Sequence, residues 1–161
     1  MARIFIPARF PGGGAPSVLS MAYKTLETFV KGSVLIFDTG EVVIGLVDPT
    51  PIVGVALEDV ASKPGFEVGH DSQVIATTGR VQQVSVAIAN DVTTFSGEGD
   101  RDPLATDVGV EYGIVNVGGA TGRWQVDTTD TVATRVVVTD VDLLENIFFF
   151  KFLDAHQALG G

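Results

Sequence analysis

The chain contains no cysteine and only two histidines, and both absences limit its chemistry. Without cysteine there is no disulfide framework and no metal site built from thiolates. The two imidazoles, His70 and His156, lie far apart in the sequence, and neither belongs to a closely spaced pair of ligands. We therefore expect a protein that holds no metal and no other cofactor.

Long hydrophobic segments are missing as well. The longest apolar run covers residues 147–150 and ends at Lys151, whereas a helix that spans a membrane needs about 20 apolar residues. Near the start of the chain, prolines and glycines interrupt the continuous apolar stretch that a signal peptide requires. These observations predict no membrane partner and a protein that is made in the cytosol.

Positive charge is scarce. Ten lysines and arginines stand against 20 aspartates and glutamates, which gives a net charge of -10. Proteins that bind nucleic acid need a basic surface for the phosphates, so we expect no nucleic-acid partner. A hydrophobic fraction of 45% is high beside so much negative charge. It indicates strand faces that are buried in a core and, in part, against another subunit or surface.

Catalytic motifs are also missing. His70, Asp71 and Ser72 have the residue types of a hydrolytic triad, but neighbouring residues of an extended chain point in opposite directions. No G-x-S-x-G sequence occurs, and the glycines at 12–14 and 118–119 lack the lysine and hydroxyl residue of a phosphate-binding loop. We therefore predict that the protein is not an enzyme.

The sequence does contain a series of short β-branched segments. Residues 33–37, 41–47 and 51–59 are largely apolar, and residues typical of turns separate them. This spacing is typical of antiparallel strands joined by tight turns. Gly54 interrupts the third segment and predicts a bulge or a close approach of another backbone, because a glycine packs no side chain.

The same pattern continues through the second half of the chain. Further strands are predicted at residues 73–76, 80–89, 110–117, 123–126, 134–140 and 146–153. In the strand at 80–89, Val84, Val86 and Ile88 are predicted to face one way and Ser85 and Ala87 the other.

The last predicted strand, 146–153, is apolar on both faces. Phe148, Phe150 and Phe152 alternate with Ile147, Phe149 and Lys151. A strand of this composition at an open edge promotes aggregation, so we expect it to be central in a sheet or covered by a neighbouring subunit. We predict an oligomer interface formed by the second set, Ile147, Phe149 and Lys151.

Residues 90–109 are acidic and rich in turn-forming residues, and we interpret them as a long exposed loop. Glu98, Asp100 and Asp102 alternate there like the first ligands of a calcium loop. Counting from Glu98, however, places Pro103 where such a loop needs its glycine. Binding of a cation or of a host ligand by residues 97–102 stays open.

The first 30 residues differ from the rest. Three prolines and three consecutive glycines in residues 1–16 favour an extended arm, which nevertheless carries large apolar side chains. Two interpretations stay open for it: a strand that folds onto its own domain, or an arm that packs on another molecule. Residues 17–30 allow either one short amphipathic helix or an extended segment.

Together these features predict an all-β protein. We expect an antiparallel β-barrel or β-sandwich body at residues 31–161. An N-terminal arm at residues 1–30, with or without one short helix, precedes it.

Four stretches of the chain have a familiar composition. They are residues 31–35 (KGSVL), 52–57 (IVGVAL), 107–114 (DVGVEYGI) and 122–127 (GRWQVD). Through these stretches, residues 30–152 resemble the head decoration, or cement, proteins of tailed bacteriophages. The resemblance implies a β-barrel or β-sandwich body, commonly trimeric, without an active site.

The resemblance also implies a location and a partner. A protein of this class is made in the host cytoplasm and then lies on the outer surface of the capsid, where it holds neighbouring units of the major capsid protein together. Its N-terminal segment often reaches onto the shell. On that basis the predicted capsid contacts here are Arg3, Ile4, Phe5, Ile6, Arg9 and Phe10.

Two alternatives from other classes are kept. A carbohydrate- or receptor-binding β-module would expose a patch of aromatic side chains around Trp124. A hydrolase would need carboxylates that converge in a pocket.

Overall fold

The computed structural model of the chain describes residues 4–9, 16–24, 27–61, 83–119 and 123–159, with only the backbone of Arg9 and Ala61. Within these ranges the protein is all-β, as predicted. The helical segments there are two short 3-10 turns, Ala105–Asp107 and Asp154–His156. Among the same residues, no helix is long and apolar enough to cross a membrane.

The described strands form two larger antiparallel sheets and one small one. The six-stranded sheet has the order β1-β9-β13-β12-β10-β11, the five-stranded sheet has the order β2-β8-β6-β4-β5, and β3 pairs with β7. In chain order the strands are β1 (Ile6–Arg9), β2 (Val18–Ala22), β3 (Thr28–Phe29), β4 (Val34–Asp38), β5 (Glu41–Ile44), β6 (Ile52–Ala56), β7 (Val60–Ala61), β8 (Gln83–Ile88), β9 (Thr94–Gly97), β10 (Glu111–Asn116), β11 (Trp124–Asp127), β12 (Val136–Asp142) and β13 (Ile147–Phe152).

The five-stranded sheet begins with the segments that the β-branched pattern predicted. Strands β4 and β5 meet at a two-residue turn, in which Thr39 and Gly40 both have positive φ, 52° and 92°. A turn of this kind matches the twist of a hairpin. The sheet curls until Tyr23, just after β2, bridges Val42 of β5, and the Lys24 N–H donates to the Val42 carbonyl at 3.2 Å.

Gly54 fulfils both parts of its prediction. Val53 is an extra residue in β6 opposite β4, because Leu35 pairs with Gly54 and Ile36 pairs with Ile52. On the other side of β6, a Cβ atom at Gly54 would lie 2.0 Å from the carbonyl oxygen of Ala87. Only glycine allows the backbones of β6 and β8 to approach so closely.

The six-stranded sheet also closes. Beyond β9, the Val126 N–H of β11 donates to the Glu98 carbonyl and the Asp100 N–H donates to the Val126 carbonyl, both at 3.0 Å. These bonds accompany a parallel bridge between Gly99 and Val126. The described strands therefore surround their cores, and β1 is added to the outside of the closed part by pairing with β9.

Two clusters of buried side chains form the core. The small core lies on one face of the five-stranded sheet and includes Tyr23, Phe29, Leu35, Val42, Val53, Val84, Val86 and Ile88. The large core lies between its other face and the six-stranded sheet, and includes Phe5, Val34, Ile52, Ala87, Phe95, Trp124, Phe148, Phe150 and Phe152. The central strand of the five-stranded sheet, β6, is therefore buried on both faces, which explains its continuous apolar sequence.

Strands β8 and β13 confirm the predicted alternation. Val84, Val86 and Ile88 belong to the small core and Ala87 belongs to the large one. In β13 the three phenylalanines at even positions are buried, and the three residues at odd positions are half-buried. The strand lies between β9 and β12, so it is central, which is one of the two positions that its composition predicted.

One prediction about a loop needs correction, and one open alternative is decided. Residues 90–109 are not one exposed loop, because Thr94–Gly97 forms β9, whose residues are all buried. Residues 17–30 do not contain the helix in their described part: β2 and β3 lie there, so the extended alternative applies. The predicted strand at 73–76 lies outside the described residues.

The described parts of the N-terminal segment belong to the sheets of the body. Strand β1 pairs with β9 and β2 pairs with β8. This strand pairing does not separate an arm at residues 1–30 from a body at residues 31–161.

Candidate functional site

The N-terminal residues that were predicted to contact a capsid divide between core and surface. Phe5 is fully buried, and its ring packs edge-on against Phe150 at a centroid distance of 4.8 Å. A side chain enclosed by its own domain has no surface to offer a partner, so the prediction for Phe5 is corrected. Ile4 is half-buried beside Gly32, and Ile6 keeps 40% of its surface exposed.

The other predicted capsid contacts lie beyond what the structure describes. Arg3 and Phe10 are outside the described residues, and only the backbone of Arg9 is described, at the end of β1. Their contact with a capsid stays a prediction.

The predicted oligomer interface lies on the outer face of β13. Ile147, Phe149 and Lys151 are half-buried there. The Lys151 ammonium donates a hydrogen bond to the Asp91 carbonyl at 2.6 Å, so this lysine already has a partner in its own chain. Contact of these three side chains with another subunit stays a prediction.

The acidic segment around residues 97–102 borders a polar cleft of about 390 Å³. Arg123 lies 3.8 Å from Glu98 across the cleft. Asp100 accepts hydrogen bonds from the backbone N–H and the hydroxyl of Thr128, at 3.1 and 2.7 Å. Among the described residues, no group of three or more His, Cys, Asp or Glu side chains is arranged to hold a metal ion.

Asp107 organises the segment that follows. It is 2% exposed and accepts two hydrogen bonds from the Arg101 guanidinium, at 2.8 and 2.9 Å. The Leu104 N–H and the Tyr112 hydroxyl also donate to it, at 2.7 and 2.8 Å. The hydrogen bonds from Arg101 lower the pKa of Asp107 most, and those from Leu104 and Tyr112 lower it further. Burial acts in the opposite direction, and the pKa is about 2. A carboxylate this well satisfied has a structural role.

The aromatic side chains of the described residues do not form an exposed patch. Trp124 and Phe95 are fully buried, and Tyr112 is 6% exposed. Phe37 is half-buried against the small core, and Phe66 lies outside the described residues. An aromatic platform for a sugar ring needs an exposed face. The exposed patch around Trp124 that the carbohydrate-binding alternative needs is therefore not formed by Trp124, which is enclosed.

A second cleft, of about 600 Å³, lies beside His156. Its lining includes Glu111, Lys151 and Asp154. The His156 Nδ1 atom lies 3.2 Å from the Thr50 hydroxyl, and burial, with the nearby Arg135 cation, lowers the pKa of His156. No described carboxylate hydrogen-bonds to this imidazole, so the charge-relay arrangement of a hydrolase is not formed among these residues.

The most exposed aliphatic side chains lie on loops. At one end of the molecule, Leu46 and Val47 lie on one loop and Val132 lies on another, with exposures of 73%, 86% and 94%. We name these three residues of the two loops the loop pair. Their two loops are joined by Arg135, whose buried side chain donates to the carbonyls of Asp48 and Pro49 at 3.2 and 3.1 Å. Because Arg135 lies just before β12, the loop pair lies at the start of that strand.

A second apolar group lies at the opposite end of β12. Leu143 and Leu144, with exposures of 53% and 93%, form the tip of the hairpin between β12 and β13; we name them the hairpin tip. Strand β12 has seven residues, which at about 3.3 Å each separate its ends by roughly 20 Å. The sequence pattern missed both groups, because aliphatic residues within turn-forming sequence carry no periodic signal.

Comparison with known protein families and with curated proteins finds no match to this chain.

Proposed function

We propose that this chain is a structural protein that decorates the outer surface of a bacteriophage capsid and stabilises it by bridging neighbouring capsomers. The observation that carries the proposal is the placement of exposed aliphatic side chains at both ends of β12, in the loop pair and the hairpin tip. A bridging protein needs two contact surfaces that are held apart by a rigid body. The two closed sheets and their cores provide that body.

The energetics favour contacts through these loops. Burying one Leu or Val side chain fully contributes about 1.5–3 kcal/mol, so three side chains at one end and two at the other supply a useful part of a binding free energy. The loop pair has a defined position, because Arg135 fixes the loop that carries Leu46 and Val47 to the start of β12. A pre-positioned contact loses less entropy on binding than a mobile one.

The charged clefts fit a binding role without catalysis. In the polar cleft, Glu98 faces Arg123 and Asp100 is bonded to Thr128. Carboxylates with such partners are not poised as an acid and base pair. We propose that the protein has no enzymatic activity and acts only through its surfaces, with the major capsid protein as its partner.

The proposal is tested with capsid shells that lack the protein. Purified wild-type chain is added, and both its occupancy and the heat resistance of the shells are measured. We expect Val47→Asp with Val132→Asp, or Leu143→Asp with Leu144→Asp, to reduce the heat resistance strongly and the occupancy less, since one anchor remains. The two pairs combined are expected to abolish binding.

Val108→Asp is the matched control. Val108 is 47% exposed and precedes Gly109, whose N–H donates to the carbonyl of Val138, near the middle of β12, at 2.8 Å. This change adds the same charge away from both ends and is expected to leave occupancy and heat resistance unchanged. Normal occupancy and heat resistance in the combined variant, or an equal loss in the control, contradicts the proposal.

A further inference from the structure

Strand β2 is an open edge of the five-stranded sheet. On one side it pairs with β8 along its whole length, from Val18 opposite Ala87 to Ala22 opposite Gln83. On the other side β5 approaches β2, but the first bridge comes only at Tyr23, just after β2, which pairs with Val42. Within the described parts of the chain, no strand pairs with that side of Val18, Leu19 or Ser20.

The backbone groups on the open side can be identified. The Ile88 N–H donates to the Ser17 carbonyl at 2.9 Å, so residue 17 bonds towards β8. Because this direction alternates along a strand, Leu19 and Met21 also bond towards β8, and Val18 and Ser20 direct their N–H and C=O groups away from it. The bond from the Lys24 N–H to Val42, on the open side, agrees with the alternation.

The side chains of β2 are also incompletely buried. Val18 and Leu19 keep 44% and 50% of their surface exposed, although they are consecutive and therefore lie on opposite faces of the sheet. Leu19 shares its face with Met21 and Tyr23, which pack into the small core. An added strand would extend this apolar face and cover Leu19.

Strand β1, at one edge of the six-stranded sheet, has features that protect an edge from pairing. Strand β1 contains Pro7, which has no N–H to offer, and its register with β9 shifts between Pro7 and Arg9. Proline, charge and irregular register are the usual means of keeping sheet edges from pairing. Residues 16–23 (PSVLSMAY) have no charged side chain, and the strand within them has no proline.

We propose that β2 pairs with β2 of a second copy of this chain, antiparallel and centred on Leu19. Each copy has a net charge of -10, so two copies repel each other. This repulsion is weakest where the uncharged strand β2 of one copy contacts β2 of the other. Centring on Leu19 places Val18 opposite the partner's Ser20, and both of these residues direct their backbone groups outwards. Leu19 then faces the partner's Leu19 at the closer, non-hydrogen-bonded position.

This pairing goes beyond the proposed function and does not depend on it. A two-fold axis passes between the two Leu19 side chains, so the contact uses the same surface on both copies and closes as a dimer. It forms in solution without any capsid.

The absence of cysteine allows a direct test of the register. Leu19→Cys introduces one thiol at the centre of the pair, where the Cβ atoms are about 4.5–5.5 Å apart and a short shift allows a disulfide. Leu46→Cys, at a side chain that is 73% exposed elsewhere, is the control. Under mild oxidation we expect covalent dimers to form at least about tenfold faster from Leu19→Cys than from the control. The rate is expected to follow the fraction of chains that are already paired noncovalently. Equal rates would overturn the proposal.

Charge variants test the same contact without forming a covalent bond. Leu19→Lys and Leu19→Glu each place like charges opposite each other, and sedimentation is expected to show self-association weakened about tenfold or more, equivalent to about 1.4 kcal/mol. Mixing the two variants is expected to restore dimers, because the charges then attract. Leu46→Lys is the control, and circular dichroism confirms the fold of each variant. A wild-type chain that stays monomeric, or a mixture that associates no better than its components, would overturn the pairing.

Discussion

Asp107 is the residue whose surroundings differ most from those of an exposed carboxylate. Its bonds from Arg101, Leu104 and Tyr112 lower its pKa from 3.8 to about 2. A lowered pKa in the folded state means that the ionised carboxylate stabilises the fold. This contribution is fully present above about pH 4 and is lost as the pH falls through about 2.

We therefore predict that Asp107→Asn lowers the free energy of unfolding by about 2 kcal/mol at neutral pH. The difference between wild type and variant is expected to shrink as the pH falls from about 4 towards 2, because the wild-type carboxylate becomes protonated there. Urea unfolding across this pH range measures it.

The control for this prediction is Asp102→Asn, which changes an exposed carboxylate in the same segment. It is expected to alter stability by less than about 0.5 kcal/mol. A difference between wild type and Asp107→Asn that stays constant down to about pH 2 would show that the network does not act through the charge of Asp107.

Strand β1 is the element whose role changed most between sequence and structure. Phe5, just before it, contacts the core phenylalanine Phe150 and sits over Gly97, where an added Cβ would lie 2.3 Å from the Phe5 ring. The segment therefore closes the large core instead of extending away from it.

We predict that Phe5→Ala lowers the free energy of unfolding by about 3–5 kcal/mol, the usual cost of emptying a core position of a phenylalanine. Deleting residues 1–16 removes Phe5 and all of β1, so it is expected to destabilise the body at least as much. Thermal and urea unfolding of the two variants test this.

Ile6→Ala is the comparison for β1, because Ile6 is next to Phe5 but 40% exposed. Its expected cost is about 1 kcal/mol. A truncated chain that unfolds like the wild type would show that β1 is not needed for the core and would return it to the role of a free arm.

At the scale of the whole molecule, two surfaces are proposed as contacts for self-association. The resemblance implies a trimer, for which the outer face of β13 with Phe149 is the predicted contact, whereas the open edge of β2 leads to a dimer. The two differ in symmetry, so the mass of the assembly separates them.

We predict that Phe149→Glu weakens assembly of the proposed trimer, because it places a charge in a contact that must be desolvated. Since Phe149 is half-buried in its own chain, some loss of stability is also expected. Sedimentation and thermal unfolding of the variant, beside Leu19→Lys, show which surface holds the copies together. Unchanged assembly in a folded Phe149→Glu chain excludes the β13 face as the contact.

Much of the fold could be predicted from particular residues. The apolar faces of β13 predicted a strand that is central or covered by another subunit, and it is central; Gly54 predicted a bulge or a close backbone approach, and both occur. These signals are local. Side chains alternate between the two faces of a strand within a few residues, and a glycine indicates that there is no room for a side chain at its own position. Strand β9 was missed, since its four residues, Thr94–Gly97, are too short and too polar to show a period.

The sequence by itself determined the all-β class, most of its strands and the lack of cysteine chemistry. Only the tertiary structure decided that Phe5 is core, that Trp124 is enclosed and that Arg135 joins the loops of the loop pair. It also decided that β2 lies at an edge. The physical reason is that burial and edge position depend on which strands pair across long stretches of chain. Val18 pairs with Ala87, and no local pattern records that partner or the open side opposite it.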